Sequence, residues 1–317
     1  MNYLIIDFHI HPKRSSQLII DEILEEMKTS GVSHGVLLGK DFDQNDLDRP
    51  EIRKRVKEAF LRSDTASYYL ANSISTSYFS QLEQAWNELE VYLKDRMSSS
   101  PTPLKELAEI VSKYPDKFTG FGSINMLKDK EYVKNKIREL NDLNLKGFKL
   151  WPFLVNPSEN ENLRILCEDF ERNGKILLVH TGCGPGPWEI PELAEYANPK
   201  YLEPLAKDYD IPIVLAHSGY YSRDNPGIFF KDALELARKY ENVWLEISAV
   251  PDVVTDPILA DKVKDAIGGF DRVLFGSDYL EYMAITVHVI KKARHLTDED
   301  KAKILGLNAK KLLGLQV

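Results

Sequence analysis

Eight short runs of aliphatic and β-branched residues, separated by longer stretches with helical periodicity, constrain this chain more than any other feature. The runs are Tyr3–His9, Gly35–Gly39, Phe118–Ile124, Lys146–Leu150, Lys175–His180, Ile211–His217, Val243–Ile247 and Arg272–Gly276. Most are apolar nearly throughout, the pattern of strands covered on both faces and hence of a parallel sheet. Helical spacing fills Leu18–Thr29, Pro101–Tyr114, Lys130–Leu143, Glu161–Asn173, Tyr201–Tyr209, Phe230–Tyr240 and Pro257–Ile267, and Asp298–Leu313 follows the eighth run. Ser158 and Glu161 have capping-box spacing, and Asn173-Gly174 reads as a helix stop. Strand followed by helix, repeated along all 317 residues, predicts an α/β fold, a (β/α)8 barrel forming one domain.

One region departs from the alternation. From about residue 41 to 100 no buried strand is legible, only charged helical stretches, Glu51–Arg62 and Phe79–Met97, around the polar Ser63–Ser77. This is expected to be a helical insertion after the second strand, on the active-site end. Padding of the barrel or dimerisation is the preferred role, with a lid as the sharper alternative. Ser98-Ser99-Ser100 reads as the linker back to the barrel.

Composition narrows the partners. With 49 acidic against 41 basic residues the net charge is -8, which argues against a broad phosphate-binding surface and so against nucleic acid. No apolar run is long enough to cross a bilayer, no cationic segment leads into an apolar signal core, and the two cysteines, Cys167 and Cys183, cannot build a disulfide framework. A cytoplasmic enzyme of small molecules, with a homodimer as an open option, is the expectation.

The chemistry sits where the runs end. The first closes on His9-Ile10-His11, and on an extended strand residues two apart project to the same face. The fifth closes on His180 and the sixth on His217, while Asp278 lies two residues past the eighth. In a barrel the C-terminal strand ends converge on one pocket, so four imidazoles and a carboxylate would meet there, a donor set suited to a divalent ion. The remaining His34, His288 and His295 read as ordinary, partly exposed residues in turns or helices.

The ordered set D-F-H-I-H-P, K-G-F-K-L-W-P (Lys146–Pro152), L-L-V-H-T-G, V-L-A-H-S-G, L-F-G-S-D-Y and the closing I-L-G-L-N-A-K-K-L-L-G-L resembles the amidohydrolase superfamily over essentially the whole chain. Within it the chain looks most like the amidohydrolase-related branch that includes aminocarboxymuconate-semialdehyde decarboxylase. The resemblance implies that His9, His11, His180 and Asp278 are metal ligands. It also implies that His217 positions or deprotonates an activated water, and that Asp278 takes part in proton transfer. One Zn2+ is the expected ion, with Mn2+, Fe2+ or Ni2+ as alternatives. Lys149 stands where binuclear relatives carry a carboxylated lysine bridging two ions; His180 and His217 would then serve a second metal, with Asp278 beside His9 and His11, but the branch resembled favours one. Trp151 departs from the pattern, since relatives often carry histidine there.

Asp7 is a candidate orienter of the ligands or, by preference, a residue making a helix-facing or strand-edge hydrogen bond, and Glu246 either lines the pocket or bonds structurally at the barrel end. Lys149, Trp151, Trp188 and Arg223 are candidate substrate contacts, with Tyr220, Tyr221, Glu189, Lys13, Arg14 and Lys40 nearby in the strand-end loops. Cys183 has no visible activation as a nucleophile. The leading expectation is hydrolysis of a C–N or C–O bond in a small, cyclic or carboxylated substrate by a metal-activated water. The alternative is non-oxidative decarboxylation of an unsaturated or aromatic acid, which would need a basic clamp for the substrate carboxylate. A non-catalytic, metal-stabilised barrel is a third reading, disfavoured because structural zinc sites are closed and cysteine-rich.

Overall fold

The computed structural model describes residues 3–12, 17–64, 66, 77–98, 102–184 and 186–316. Eight parallel strands lie in chain order: β1 (Ile6–Ile10), β2 (His34–Leu38), β3 (Phe118–Gly122), β4 (Gly147–Leu150), β5 (Ile176–Gly182), β6 (Ile213–Tyr221), β7 (Val243–Glu246) and β8 (Val273–Leu274). The ends of the sheet meet where Phe8 N–H donates to the Phe275 carbonyl and Asp278 N–H to the His9 carbonyl, each at 2.9 Å. Each apolar run overlaps its strand, and the (β/α)8 barrel is the fold.

Side chains alternate across the strands with period two. Ile176, Leu178, Val214 and Ala216 cluster with Ile6, Phe8, Val36, Leu38, Phe121 and Leu274 inside the barrel. Their neighbours Leu177, Val179, Ile213 and Leu215 pack outward against the helices. The same alternation places Lys149, His180 and Glu246 on the inner side, toward one end.

The surrounding helices include Gln17–Ser30, Leu104–Lys113, Lys130–Asp142, Glu161–Asn173, Phe230–Lys239 and Pro257–Ile267. Gly174, at φ 58, closes its helix in the left-handed conformation that glycine adopts without a Cβ clash. The start of that helix corrects the expected cap. Asn160, not Ser158, is the N-cap, its side chain accepting from Leu163 N–H at 2.9 Å. Tyr201–Tyr209 proves to be a 3₁₀ turn, Pro199–Leu202, leading into a short helix, Glu203–Asp208. Asp298–Leu313 is interrupted by a π-helical turn, Lys303–Leu307, whose Ile304 carbonyl accepts from Phe275 N–H at 3.0 Å.

One helix, Leu280–Lys292, was not expected from the sequence. Met283, Val287 and Ile290 are buried at helical spacing, but Tyr282 and Ile285 on the opposite side are exposed and apolar too. These two apolar residues share the outer face with Glu281, His288, Lys291 and Lys292, which blurs the amphipathic contrast. His34 also differs from expectation: it is buried at the start of β2, its Nε2 lying 2.8 Å from Thr119 Oγ1. His288 is exposed on its helix, and His295 Nε2 contacts the Val254 carbonyl at 2.8 Å.

The insertion contains the helices Pro50–Arg62 and Ser77–Ser98. Its stem is pinned where Thr102 N–H donates to the Lys40 carbonyl at 2.9 Å. Ile52, Val56, Phe60, Trp86, Leu93 and Met97 form a cluster with Phe153, Leu154, Trp188 and Leu193 from the loops after β4 and β5. The insertion therefore packs on the strand-end loops. Lys13 and Arg14, most of Ser63–Ser77, and Ser99 and Ser100 of the expected linker lie outside the described residues.

Candidate metal centre

The two histidines at the end of β1 converge, although Ile6 and Phe8 fill the barrel interior and strict alternation would turn His9 outward; a register shift between Asp7 and Ile10 breaks that alternation. Their Nε2 atoms are 3.1 Å apart, and each lies 3.5 Å from Asp278 Oδ1. Asp278 reaches this point because its N–H is tied to the His9 carbonyl across the barrel seam. Its backbone is left-handed, φ 66, as is that of His217, φ 63. That region is uncommon for residues with a Cβ and is held only where surrounding structure enforces it. At His217 it breaks the alternation of β6 and brings the ring to the cavity.

A second layer of contacts holds the rings. His9 Nδ1 is 3.1 Å from Glu246 Oε2 and 2.9 Å from Ser248 Oγ. His217 Nδ1 is 2.8 Å from the Ser248 carbonyl and 3.0 Å from its hydroxyl. Glu246 is fully buried and accepts from Ser248 N–H at 2.6 Å, Ser248 O–H at 2.8 Å and His217 N–H at 3.3 Å. Asp7 acts differently. A register shift in β1 follows it, and its Oδ1 accepts from the backbone N–H groups of His9 at 2.9 Å and Ser277 at 3.0 Å. It thus acts on the main chain and braces β1 against the segment after β8, a role not foreseen in the sequence.

His180 stands apart from these groups. Its Nε2 donates to the Cys183 carbonyl at 2.7 Å, and its buried Nδ1 has no hydrogen-bond partner among the described residues. A carbonyl can only accept, so the neutral ring carries its proton on Nε2 and leaves a bare lone pair on Nδ1. Lys149 is fully buried with Nζ 3.4 Å from His9 Nε2.

The electrostatics match. Burial first, then neighbouring positive groups, hold His9, His11 and His180 well below the ordinary imidazole range, and His217 is brought down to about 4. Burial lowers Lys149 to about 8 and raises Asp7 to about 7 and Glu246 above the ordinary carboxylate range. Neutral imidazoles beside a carboxylate, with an orphaned lone pair at the margin, fit a divalent cation. Two groups have the required proximity, His9/His11/Asp278 and His9/His217/Glu246, each with ligand atoms within 4.8 Å of one another. His180 belongs to neither.

Above this centre opens a cavity of about 420 Å3. His11, His180, His217 and Asp278 form its floor, with aromatic walls from Phe42, Trp151, Phe153, Trp188, Tyr221 and Tyr279, and two cations, Lys40 and Arg96. Trp151 stacks on His180 with ring centroids 5.1 Å apart, and Phe153 on Trp188 at 4.7 Å. Arg223, expected near the substrate, is instead exposed and paired with Asp224 at 2.8 Å, its neighbour in a solvent-facing turn. Arg96 was not foreseen, because nothing in an isolated helical pattern tells that its last turn reaches the barrel mouth. Ser248 was missed as well, although Glu246-x-Ser248 at the end of β7 has the spacing that found His9 and His11. Burial raises the Cys183 thiol to about 12, away from nucleophilic use.

Fold and site together define a (β/α)8 barrel with histidines at the ends of its first, fifth and sixth strands and an aspartate after its eighth, donor groups whose chemistry fits a divalent cation. The chain belongs to the amidohydrolase family, whose family model matches residues 95–315. No curated protein matches the chain. Among solved structures it is similar to an uncharacterised TIM-barrel protein from Bordetella bronchiseptica, with 18% identity, TM-score 0.61 and 98% of each chain covered. It is also similar to a manganese-bound 5-carboxyvanillate decarboxylase from Novosphingobium aromaticivorans, with 15% identity, TM-score 0.59, and 99% of this chain and 97% of that one covered. A third is a probable 2-pyrone-4,6-dicarboxylic acid hydrolase from Acinetobacter baumannii, with 15% identity, TM-score 0.57, and 99% and 100% covered. At such identities the likeness is one of fold. Among the described residues no helix is long and apolar enough to cross a membrane.

Proposed function

We propose that the protein is a metal-dependent, non-oxidative decarboxylase of a planar aromatic or unsaturated carboxylic acid. The observation that carries this reading is the cavity wall: Lys40 and Arg96 line the same aromatic-sided space as the His11/Asp278 floor. Cations between aromatic faces suit a flat anion, and this is the basic clamp that a decarboxylase needs. Two of the fold relatives point the same way, one named a 5-carboxyvanillate decarboxylase and another a 2,6-dihydroxybenzoate decarboxylase.

His9, His11 and Asp278 would hold one divalent ion, with the bare Nδ1 of His180 as a further donor; Zn2+ is the expected metal, and Mn2+ is the one named for a relative. When bound, the ion supplies Lewis-acid polarisation of a substrate oxygen. Lys149 lies beside His9 and provides positive charge under the substrate. His217 is neutral in the free cavity, and a carboxylate entering beside it favours the imidazolium. The proton then passes from His217 to the carbon bearing the carboxylate, the bond to that carboxylate breaks, and CO2 leaves. The proton replaces CO2, so no oxidant is consumed. Solvent entering the cavity resupplies the proton between turnovers, with Asp278 on the same floor as His217 to relay it.

A second reading, hydrolysis of a C–N or C–O bond in a carboxylated cyclic substrate, is favoured by the same neutral His217, which suits it to accept a proton from water. One experiment separates them. The metal-loaded protein is screened against hydroxylated aromatic acids, lactones and cyclic amides, with CO2 release and ring opening followed in parallel. CO2 release without ring opening supports decarboxylation; ring opening without CO2 overturns it in favour of hydrolysis.

A further inference from the structure

The end of β7 reaches two histidines at once. Three donors already point at the two oxygens of Glu246: Ser248 N–H to Oε1, and Ser248 O–H and His217 N–H to Oε2. A carboxyl so engaged is an acceptor, so His9 Nδ1, 3.1 Å from Oε2, is the donor in that contact. The Ser248 hydroxyl spends its single proton on Glu246 and can only accept from the two Nδ1 atoms beside it. The Ser248 carbonyl, 2.8 Å from His217 Nδ1, can also only accept.

We infer that Glu246 and Ser248 are positioning residues that lock His9 and His217 together in the Nδ1–H tautomer, leaving Nε2 of each ring bare. For His9 that is the nitrogen facing His11 and Asp278. For His217 it is the nitrogen not taken by Ser248. The Glu246 carboxylate thereby sets the lone pair that His9 offers to a cation, the Ser248 main-chain carbonyl sets the protonation site of His217, and the Ser248 hydroxyl ties the two rings to each other. The inference rests on the metal-centre reading only for its purpose, since the tautomers are a property of the metal-free protein whatever reaction it catalyses.

The test is a long-range 1H–15N correlation spectrum of the chelated, 15N-histidine-labelled protein at neutral pH, with resonances assigned through single-histidine variants. His9 and His217 should both show the Nδ1–H pattern, while His180 shows Nε2–H; an Nε2–H pattern at His9 or His217 in the wild type overturns the inference. In Glu246→Gln the Ser248 N–H keeps the amide oxygen at the Oε1 position. That turns the NH2 toward His9 Nδ1 and should flip His9 to Nε2–H. Affinity for Zn2+ or Mn2+, measured by competition with a chelating dye, should fall by about 10- to 100-fold. Retention of Nδ1–H at His9 in that variant overturns the role of Glu246. Should Glu246→Gln fail to fold, Ser248→Ala serves: the carboxylate and the main-chain carbonyl remain, so both tautomers should persist. A flip of His217 there would overturn the assignment of its proton to the Ser248 carbonyl.

Discussion

His9 and His11 present their Nε2 atoms to each other at 3.1 Å, with Asp278 Oδ1 3.5 Å from both. Burial keeps both rings neutral, so the gap is bridged either by the single ring proton of a neutral His11 or by a cation seated between two lone pairs. Removing one of them removes the reason for a cation to stay. His11→Ala should therefore purify without stoichiometric metal and without turnover, as elemental analysis and activity assay would show. Full metal occupancy in that variant would overturn the ligand assignment.

His217 tests the number of ions. In a one-metal site His217→Ala keeps its metal and loses turnover by about 10²- to 10⁴-fold, the usual worth of a general acid or base. Halved metal content, together with a carbon dioxide adduct on Lys149 by mass spectrometry, would favour the two-ion arrangement.

Arg96 lies on the last turn of Ser77–Ser98 and lines the cavity from the insertion. A charged hydrogen bond to a substrate carboxylate contributes about 1.5–3 kcal/mol. Arg96→Met should raise KM for a carboxylated substrate by roughly 10- to 100-fold on that basis, and it should leave metal content unchanged. Steady-state kinetics with the acid and its methyl ester separate this from a general loss of fold, because the ester should be indifferent to the change.

The metal-free protein should lose stability on acidification. His217 has its folded pKa near 4 against 6.5 for an unperturbed ring, and His9, His11 and His180 are displaced in the same direction. Between those values the unfolded chain binds protons that the folded one does not, so stability is present above about pH 6.5 and falls as pH drops toward 4. Each imidazole contributes about 1.4 kcal/mol per pH unit across its window. Asp7 and Glu246, raised rather than lowered, oppose this with two groups against four. Urea midpoints of the chelated protein between pH 7 and 4.5 should decline, and a flat profile would show that the buried rings are not held neutral.

Gly276 tests the packing behind the centre. A Cβ there would meet Glu246 Oε1, His9 Cβ at 2.7 Å and Ser248 Cβ at 3.0 Å. None of these can retreat without disturbing His9, so Gly276→Ala should cost about 1–3 kcal/mol by overpacking and lower metal affinity with it. Thermal denaturation alongside metal titration checks both.

Much of the molecule was legible in the sequence. Strands buried on two faces must be apolar throughout, so all eight stood out, and His9, His180, His217 and Asp278 could be placed at their ends because the barrel brings those ends together. Leu280–Lys292 was not legible, because Tyr282 and Ile285 interrupt its polar side. The caps near Glu161 show a finer limit: Ser158 and Asn160 are both plausible N-caps, and only the path of the chain selects Asn160.

The sequence by itself determined the barrel and the histidine and aspartate constellation, since strand period and strand order are local properties repeated in one direction. Only the tertiary structure decided how those residues are used. It turned Arg223 to Asp224 and brought Arg96 to the cavity. It set Asp7 on backbone amides, and placed Glu246 and Ser248 between His9 and His217. These are contacts between residues up to 270 positions apart. They depend on side-chain direction and backbone turns such as the left-handed His217 and Asp278, which no local pattern encodes.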